Sequence, residues 1–366
     1  MLTRRIAVRA GAWAALILLV LGGIELAGRR YRQLMPVQWQ IIRFAVDYPF
    51  TVVPDAELGF SMPPNQREEI RTPDYTFLFE TDAKGYPNRE PWPSDPSVVF
   101  LGDSLIVGQG VGWEGSFVGQ LDRMLPDQSV LNLGLPGAGP ERQARIYSRF
   151  GGEWHPDVVV SCLFLASDFE NDGHFLSWLR DGRNSDYNTF RLRLARAERD
   201  RGLFQRFLDN SLVLDRVIQP IARRIAGKED LEDRHRFADG TEILFERHAL
   251  EFAAATTATE DPRLDTFMGA IERLRALVEQ SGARLLVMLI PSKEELFAVP
   301  ASSTRLNLAS RLRQRLAATS LPVLDLYPAL RQRGATQSPY FPLDAHLNAH
   351  GNRIVAEEFA AWFEQR

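Results

Sequence analysis

The stretch Val98–Val111, VVFLGDSLIVGQGV, decides how the rest of the chain is read. Val98 to Leu101 is an apolar run too short for a helix and suited to a strand buried on both faces. Gly102, Asp103 and Ser104 then read as a turn leading into a helix. A side chain on such a turn stands at the C-terminal edge of a sheet. It also lies near the positive end of a helix dipole, where backbone N–H groups can receive an oxyanion. Ser104 thus stands where a nucleophile would, and equally where a serine N-cap would.

Outward from this block the same rhythm repeats. Ser116–Leu125 (SFVGQLDRML) reads as a helix, Val130–Leu133 (VLNL) as a strand, Glu141–Phe150 as a helix and Asp157–Leu165 (DVVVSCLFL) as a strand. After an interruption it resumes with a helix over Leu264–Gln280, a strand over Ala283–Ile290, a helix over Thr304–Ala317, a strand over Val323–Leu326 and a last helix over Gly351–Phe363. Strand–helix alternation implies a parallel sheet covered on both faces, a three-layer α/β/α sandwich. The interruption, about residues 169–261, is a charged and mostly helical insertion that includes FRLRLARAERDRGLFQRFL (190–208) and SLVLDRVIQPIARRIAG (211–227). Its arginines could face anionic lipid or an acidic glycan, but a solvated helix face is the expected reading. Residues 33–96 form a lead-in expected to pack on the main domain, residues 97–366. Within it, Val37–Val46 reads as a short amphipathic helix, Tyr75–Glu80 as a strand and Asp82–Asn88 as a turn.

The chain begins MLTRRIAVRAGAWAALILLVLGGIELAGRRYR, residues 1–32. Arginines precede an uncharged run from Ala10 to Ile24, the pattern of a targeting or membrane segment. Continued to Gly28 the run gives about 19 residues, close to what a bilayer core of about 30 Å requires. Gly22, Gly23 and Ala27 make a poor cleavage site, so an uncleaved anchor is expected over a cleaved signal. The N-terminal arginines place that end inside and the bulk of the chain outside the cytoplasm, in the periplasm. The 366 residues are ample for a full core, and a net charge of -4 gives no global field that would draw nucleic acid. No nucleic-acid partner is expected. The single cysteine, Cys162, lies in an apolar run and reads as a buried thiol.

A serine needs a base to become a nucleophile, and the C-terminal segment YFPLDAHLNAHGNRIVAEEF (340–359) supplies one. Asp344 and His346 fall in a loop before a helix, from which an imidazole can reach a neighbouring strand edge. If the segment is extended, residues i and i+2 share a face, so Asp344 can orient the ring; a Ser–His dyad is the fallback. His155, His174, His235 and His248 lack this setting. His346 and His350 have the spacing of metal ligands on a helix, but Gly351 places the helix after them. Neither a metal nor a cofactor is expected.

A GDS turn after an early strand together with D-x-H-x-N before the last helix resembles the SGNH (GDSL-type) hydrolases. The similarity spans about Ser97–Trp362. It implies a flavodoxin-like α/β sandwich in which Ser104 is the nucleophile, His346 the base and Asp344 its orienter. It further implies an oxyanion hole from the amides of Ser104 and of Gly137, in VLNLGLPGAGP, with Gly134 and Gly139 as lesser alternatives. Where the family has an asparagine in its third block, FLASDFEND carries Ser167. Either Ser167 or Asn171 takes that role, or the hole lacks a donor. Asp344 and His346 are also one residue closer than in many members. Lys293, after the fourth strand, contacts an anionic or sugar substrate unless it is a plain surface lysine.

These features predict serine-dependent acyl transfer on O-acyl, above all O-acetyl, esters of envelope or secreted glycans. Esterase or deacetylase action is expected first, and O-acyl transfer to a polysaccharide second. A membrane-tethered glycan-binding or scaffold protein without catalysis is the third reading. The anchor also leaves room for a membrane-bound acyl-donor partner.

Overall fold

A computed structural model describes residues 2–31, 34–41, 49–151, 154–181, 183–198, 210–225, 232–254, 261–298 and 307–365. The expected apolar runs form one sheet of five strands. These are β1 (Val98–Gly102), β2 (Val130–Gly134), β3 (Val158–Phe164), β4 (Arg284–Ile290) and β5 (Val323–Asp325). Their spatial order is β2-β1-β3-β4-β5 and every neighbouring pair is parallel. The winding reverses between β1 and β3, and in open α/β sheets ligands bind at the carboxyl ends beside such a reversal.

The run of apolar residues in each strand is uninterrupted because both faces are covered. In β1, Val99 and Leu101 enter one core cluster while Val98 and Phe100 enter another. In β4, Leu285, Val287 and Leu289 part from Leu286, Met288 and Ile290 in the same way, as side chains alternating across a pleat must. Helices Pro140–Phe150 and Pro262–Gln280 cover the first face through residues such as Ile146 and Leu274. Helices Phe117–Met124 and Ala349–Glu364 cover the second through Leu121, Ile354 and Phe359. The expected α/β/α sandwich is therefore the observed one.

Two helices begin elsewhere than expected, each for a capping reason. The helix expected over Thr304–Ala317 is seen as Leu308–Ala317; Asn307 caps it by accepting from the Ser310 N–H at 2.8 Å. Its expected start, up to residue 306, lies outside the described residues. The last helix starts at Ala349, ahead of Gly351, because the Asn348 side chain accepts from the N–H groups of His350 and Gly351 at 2.9 and 3.0 Å. The cap, not the glycine, marks the boundary.

In the lead-in, Val37–Ile41 is helical, while residues 42–48 of the expected helix lie outside the described residues. Arg67–Arg71 and Thr76–Glu80 form an antiparallel hairpin that buries Phe77 and Phe79 against the first core cluster. Between residues 169 and 261 the described helices include Tyr187–Glu198, Gln219–Ile225 and Arg247–Ala254. A small hairpin, Arg234–Arg236 with Glu242–Leu244, interrupts them. Residues 199–208 of the first quoted insertion segment and 226–227 of the second lie outside the described residues. At the N-terminus Leu2–Arg30 is one helix, and its Arg9–Arg30 part, which holds an 18-residue window of mean hydropathy 2.0 with no buried residue, is long and apolar enough to cross a membrane.

Candidate active site

The strand-turn-helix around Ser104 is fixed by its own sequence. A Cβ on Gly102 would fall 2.3 Å from Ile106 Cγ1, so only glycine lets the chain turn so closely. The helix it enters, Ser104–Val107, is a single turn closed by Gly108 in the left-handed region at φ 78°. Its N-cap is Asp103, whose carboxylate accepts from the Leu105 N–H at 2.9 Å. The capping role that the sequence offered Ser104 is thus filled by its neighbour. The Ser104 hydroxyl lies 2.6 Å from His346 Nε2 instead.

His346 comes from the opposite end of the sequence on a tight loop, not an extended segment. Tyr340 and Leu347 bridge across it, and the Phe341 N–H donates to the His346 carbonyl at 3.1 Å. Asp344 Oδ1 receives the His346 backbone N–H at 3.0 Å and also contacts Nδ1 of the ring. With the proton on Nδ1, Nε2 is left as the acceptor for the serine hydroxyl. Burial pulls the imidazole pKa down, but the adjoining Asp344 carboxylate and then Asp103 outweigh it, and the net shift is upward. Burial also opposes ionisation of Asp344, yet the charge of His346 and the hydrogen bonds from His346 and Tyr75 hold its pKa at about 2.

The loop is held from outside by groups that no local pattern marks. Tyr75, at the tip of the lead-in hairpin, donates its hydroxyl to Asp344 Oδ2 at 2.6 Å and accepts from Gln109 Nε2 at 3.0 Å. Asp74 Oδ2 accepts the N–H groups of Leu343 and Asp344 at 2.7 and 2.6 Å. Lys293 was expected to meet substrate or solvent. It is only 1 % exposed, and its ammonium points at the carbonyls of Phe341, Pro342, Leu343 and Asp344, at 3.5, 3.3, 3.0 and 3.0 Å. Its position at the sheet edge is as expected and it lines the cleft, while its long stem folds back so that the ammonium clamps the loop.

Gly137, φ 64°, lines the cleft at Ser104. Buried Arg142 pins its loop by donating to the Pro136 and Gly137 carbonyls at 3.0 and 3.2 Å. The Gly134 N–H donates instead to Asn132 Oδ1 at 2.8 Å, and a Cβ on Gly139 would meet Asp172. Ser167 and Asn171 line the same cleft. Ser167 is the N-cap residue of helix Asp168–Arg180, yet its side chain makes no capping bond.

The far wall carries residues that sequence reasoning passed over. Glu170, His174, Arg191 and His248 line the cleft with Ser104 and His346, and His248 Nε2 lies 3.1 Å from Glu170 Oε2. For His174 a signal exists. Ser167, Asn171 and His174 follow β3 at the i, i+4, i+7 spacing that puts side chains on one helix face, and that face meets the sheet's C-terminal edge. Arg191 and His248 reach the cleft only through the fold of the insertion. Behind Ser104, burial raises the pKa values of Asp103 and Asp168 and drives that of the Cys162 thiol well up, so the thiol is sealed and unreactive.

A doubly wound sheet bears serine, imidazole and carboxylate in one contact chain at its C-terminal edge, the arrangement that serine-dependent acyl transfer requires. The family comparison agrees: residues 244–366, which hold Lys293, Asp344 and His346, match the family described as SGNH hydrolase-like domain, acetyltransferase AlgX. The C-terminal third of the chain is thus similar to an SGNH hydrolase-like domain. Solved structures with a distant likeness include a member of the lipolytic protein G-D-S-L family from Veillonella parvula, at 12% identity and TM-score 0.37, covering 74% of this chain and 98% of that one. The psychrotrophic esterase EstA from Pseudoalteromonas sp. stands at 11% and 0.36, covering 74% and 98%. The acetyl xylan esterase AlAXEase stands at 15% and 0.36, covering 72% and 98%. No curated protein matches the chain.

Proposed function

We propose that the protein transfers acyl groups, most simply acetyl, from an O-acyl donor to a polysaccharide hydroxyl through an acyl-enzyme on Ser104. The observation that carries this is the contact chain from Ser104 Oγ to His346 Nε2 and from His346 Nδ1 to Asp344. In the first half-reaction Ser104 Oγ attacks the acyl carbonyl as His346 takes its proton. The tetrahedral oxyanion is received by the N–H groups of Ser104 and Gly137, with Ser167 or Asn171 as a further donor. Collapse expels the donor alcohol, to which His346 returns the proton. In the second half an acceptor hydroxyl gives its proton to His346 and takes the acyl group, freeing Ser104.

Water as acceptor would make the protein an esterase, the first expectation from sequence. The likeness of residues 244–366 to an acetyltransferase family favours a sugar hydroxyl. An N-terminal helix apolar enough to cross a membrane supports an anchored enzyme working outside the cytoplasm, on envelope or secreted glycan, and leaves room for a membrane-bound acyl-donor partner. The test is fluorophosphonate labelling of the full-length protein, followed by incubation with acetyl esters and an envelope polysaccharide. Labelling that Ser104→Ala abolishes, with acetyl recovered on the polysaccharide, is the expected result. Free acetate alone would make it an esterase. Absence of both labelling and turnover across acyl donors would sink the mechanism.

A further inference from the structure

The large apolar side chains that stand exposed among the described residues are not scattered. Beyond the N-terminal helix itself they are Tyr31 and Leu34 just after it, Ile221 at 54 % and Ile225 at 82 % exposure, and, elsewhere, Leu78 and Met124. Ile221 and Ile225 are one helical turn apart, so they share a side of helix Gln219–Ile225. Arg216 and Arg224 of the same segment are exposed as well.

That segment begins where it touches the apolar helix. Ser211 Oγ donates to Glu25 Oε2 at 3.0 Å and the Val213 N–H to the same oxygen at 3.4 Å. Leu212 lies against Gly28, where an added Cβ would come within 2.8 Å of its Cδ2, and Arg29 reaches the Asn210 carbonyl at 3.4 Å. Glu25 precedes the end of the helix at Arg30 by five residues, about 7.5 Å along the axis at 1.5 Å per residue. A carboxylate that far inside an apolar helix is costly in lipid unless it is paired. Its partners are Arg29, Ser211 and Val213. The segment is thus tied to a point below the helix end, at the depth of the lipid headgroups if the helix spans a bilayer.

We infer that residues 211–225 lie in the surface of the bilayer that the N-terminal helix enters, with Ile221 and Ile225 inserted among the upper acyl chains and Arg216 and Arg224 among the headgroups. This rests on the reading of that helix as a retained anchor. Apolar side chains beside arginines are the chemistry of an interfacial helix, and here the surface continues directly from the helix that crosses. The consequence is a catalytic domain held against the membrane at two points, which limits its tumbling about the single anchor.

The test uses the full chain in vesicles of phosphatidylcholine and phosphatidylglycerol, with an environment-sensitive fluorophore on single cysteines. The native Cys162 is buried and stays unlabelled in the folded protein. Labels replace Ile221 or Ile225, with Leu19→Cys inside the apolar helix and Leu78→Cys on the domain as controls. The expected result is blue-shifted emission at 221 and 225, quenched severalfold more by lipids spin-labelled near the headgroup than at Leu78. Adding Ile225→Asp should weaken the quenching at 221. Quenching at Leu19 with water-like emission at 221 and 225 would overturn the inference while leaving the anchor intact. Water-like emission at Leu19 would overturn both, and equal quenching at Leu78 and Ile225 would overturn the docking geometry in favour of unspecific adsorption.

Discussion

The two arms that meet at 2.6 Å between Ser104 and His346 are built in opposite ways. The Ser104 arm is held by its own neighbours: Gly102 allows the turn, Asp103 caps the helix and Gly108 closes it. The arm carrying Asp344 and His346 has almost no regular structure. It is held by Asp74 on two N–H groups, Tyr75 on the carboxylate and Lys293 under four carbonyls. One arm is specified by adjacent residues, the other by residues scattered over the chain. Substitutions in the first should remove chemistry, whereas substitutions around the second should loosen geometry.

The largest effect is expected at the Ser104–His346 pair. Ser104→Ala or His346→Ala should each lower kcat on an acetyl ester by on the order of 10⁶-fold, with little further loss when combined, because a catalytic unit fails as a whole. Steady-state kinetics of the three variants against acetyl-ester hydrolysis or transfer checks this; additive losses would mean the residues do not act together. Asp344→Asn comes next, at about 10⁴-fold, since an amide leaves the imidazole in the wrong tautomer. It also sharpens the pH behaviour. His346 must be neutral to accept a proton, so kcat/KM should rise with pH through a value above the ordinary 6.5. Burial alone would lower that value and Asp344 outweighs it, so in Asp344→Asn the limb should move to lower pH. For stability the sign is the reverse of the histidine case. A carboxylate held at about 2 contributes stability that is present above its ordinary range and lost as pH falls through about 2.

Lys293 tests the second arm. Lys293→Met keeps most of the buried stem but leaves four carbonyls without their common donor. Unsatisfied buried groups cost about 1–3 kcal/mol each at most, and some of these will relax toward water. A loss of a few kcal/mol in urea unfolding, with kcat down about 10²-fold from a displaced His346, is the expected outcome. Unchanged stability with raised KM alone would favour the substrate-contact reading.

The same contrast explains what could be read in the sequence. The sheet was legible because a strand covered on both faces must be apolar at every position, as VVFL and RLLVMLI are. Ser104, Asp344 and His346 could be singled out because each stands in a short motif at a predictable edge of that sheet. The place of Lys293 at the cleft was legible but its hold on the loop carbonyls was not, since a position fixes where a long side chain starts and not where it ends. Tyr75 lies 269 residues from the carboxylate it contacts, inside a lead-in whose hairpin reads as ordinary. His248 and Arg191 enter the cleft only through the packing of the insertion. Such relations are tertiary, and no local period encodes them.

Tyr75→Phe is the finest cut between the two arms and the smallest expected effect. The ring would remain, with its packing at 4.7 Å between centroids against Phe341 on the loop that carries Asp344 and His346. Only the donor to Asp344 Oδ2 is removed, and with it the acceptor for Gln109. A hydrogen bond to a charged group contributes about 1.5–3 kcal/mol, and the loop keeps its other holds, so the loss in kcat should stay near tenfold. KM should not move, because Tyr75 is not among the cleft-lining residues. Without that donor Asp344 becomes a stronger base, which strengthens its grip on the Nδ1 proton and nudges the acid limb of His346 upward. A kcat drop with a raised limb and constant KM would mark Tyr75 as a positioning residue supplied by the lead-in. An unchanged profile would leave Asp74 and Lys293 as sufficient supports, and would reduce the hairpin to a cover over the loop.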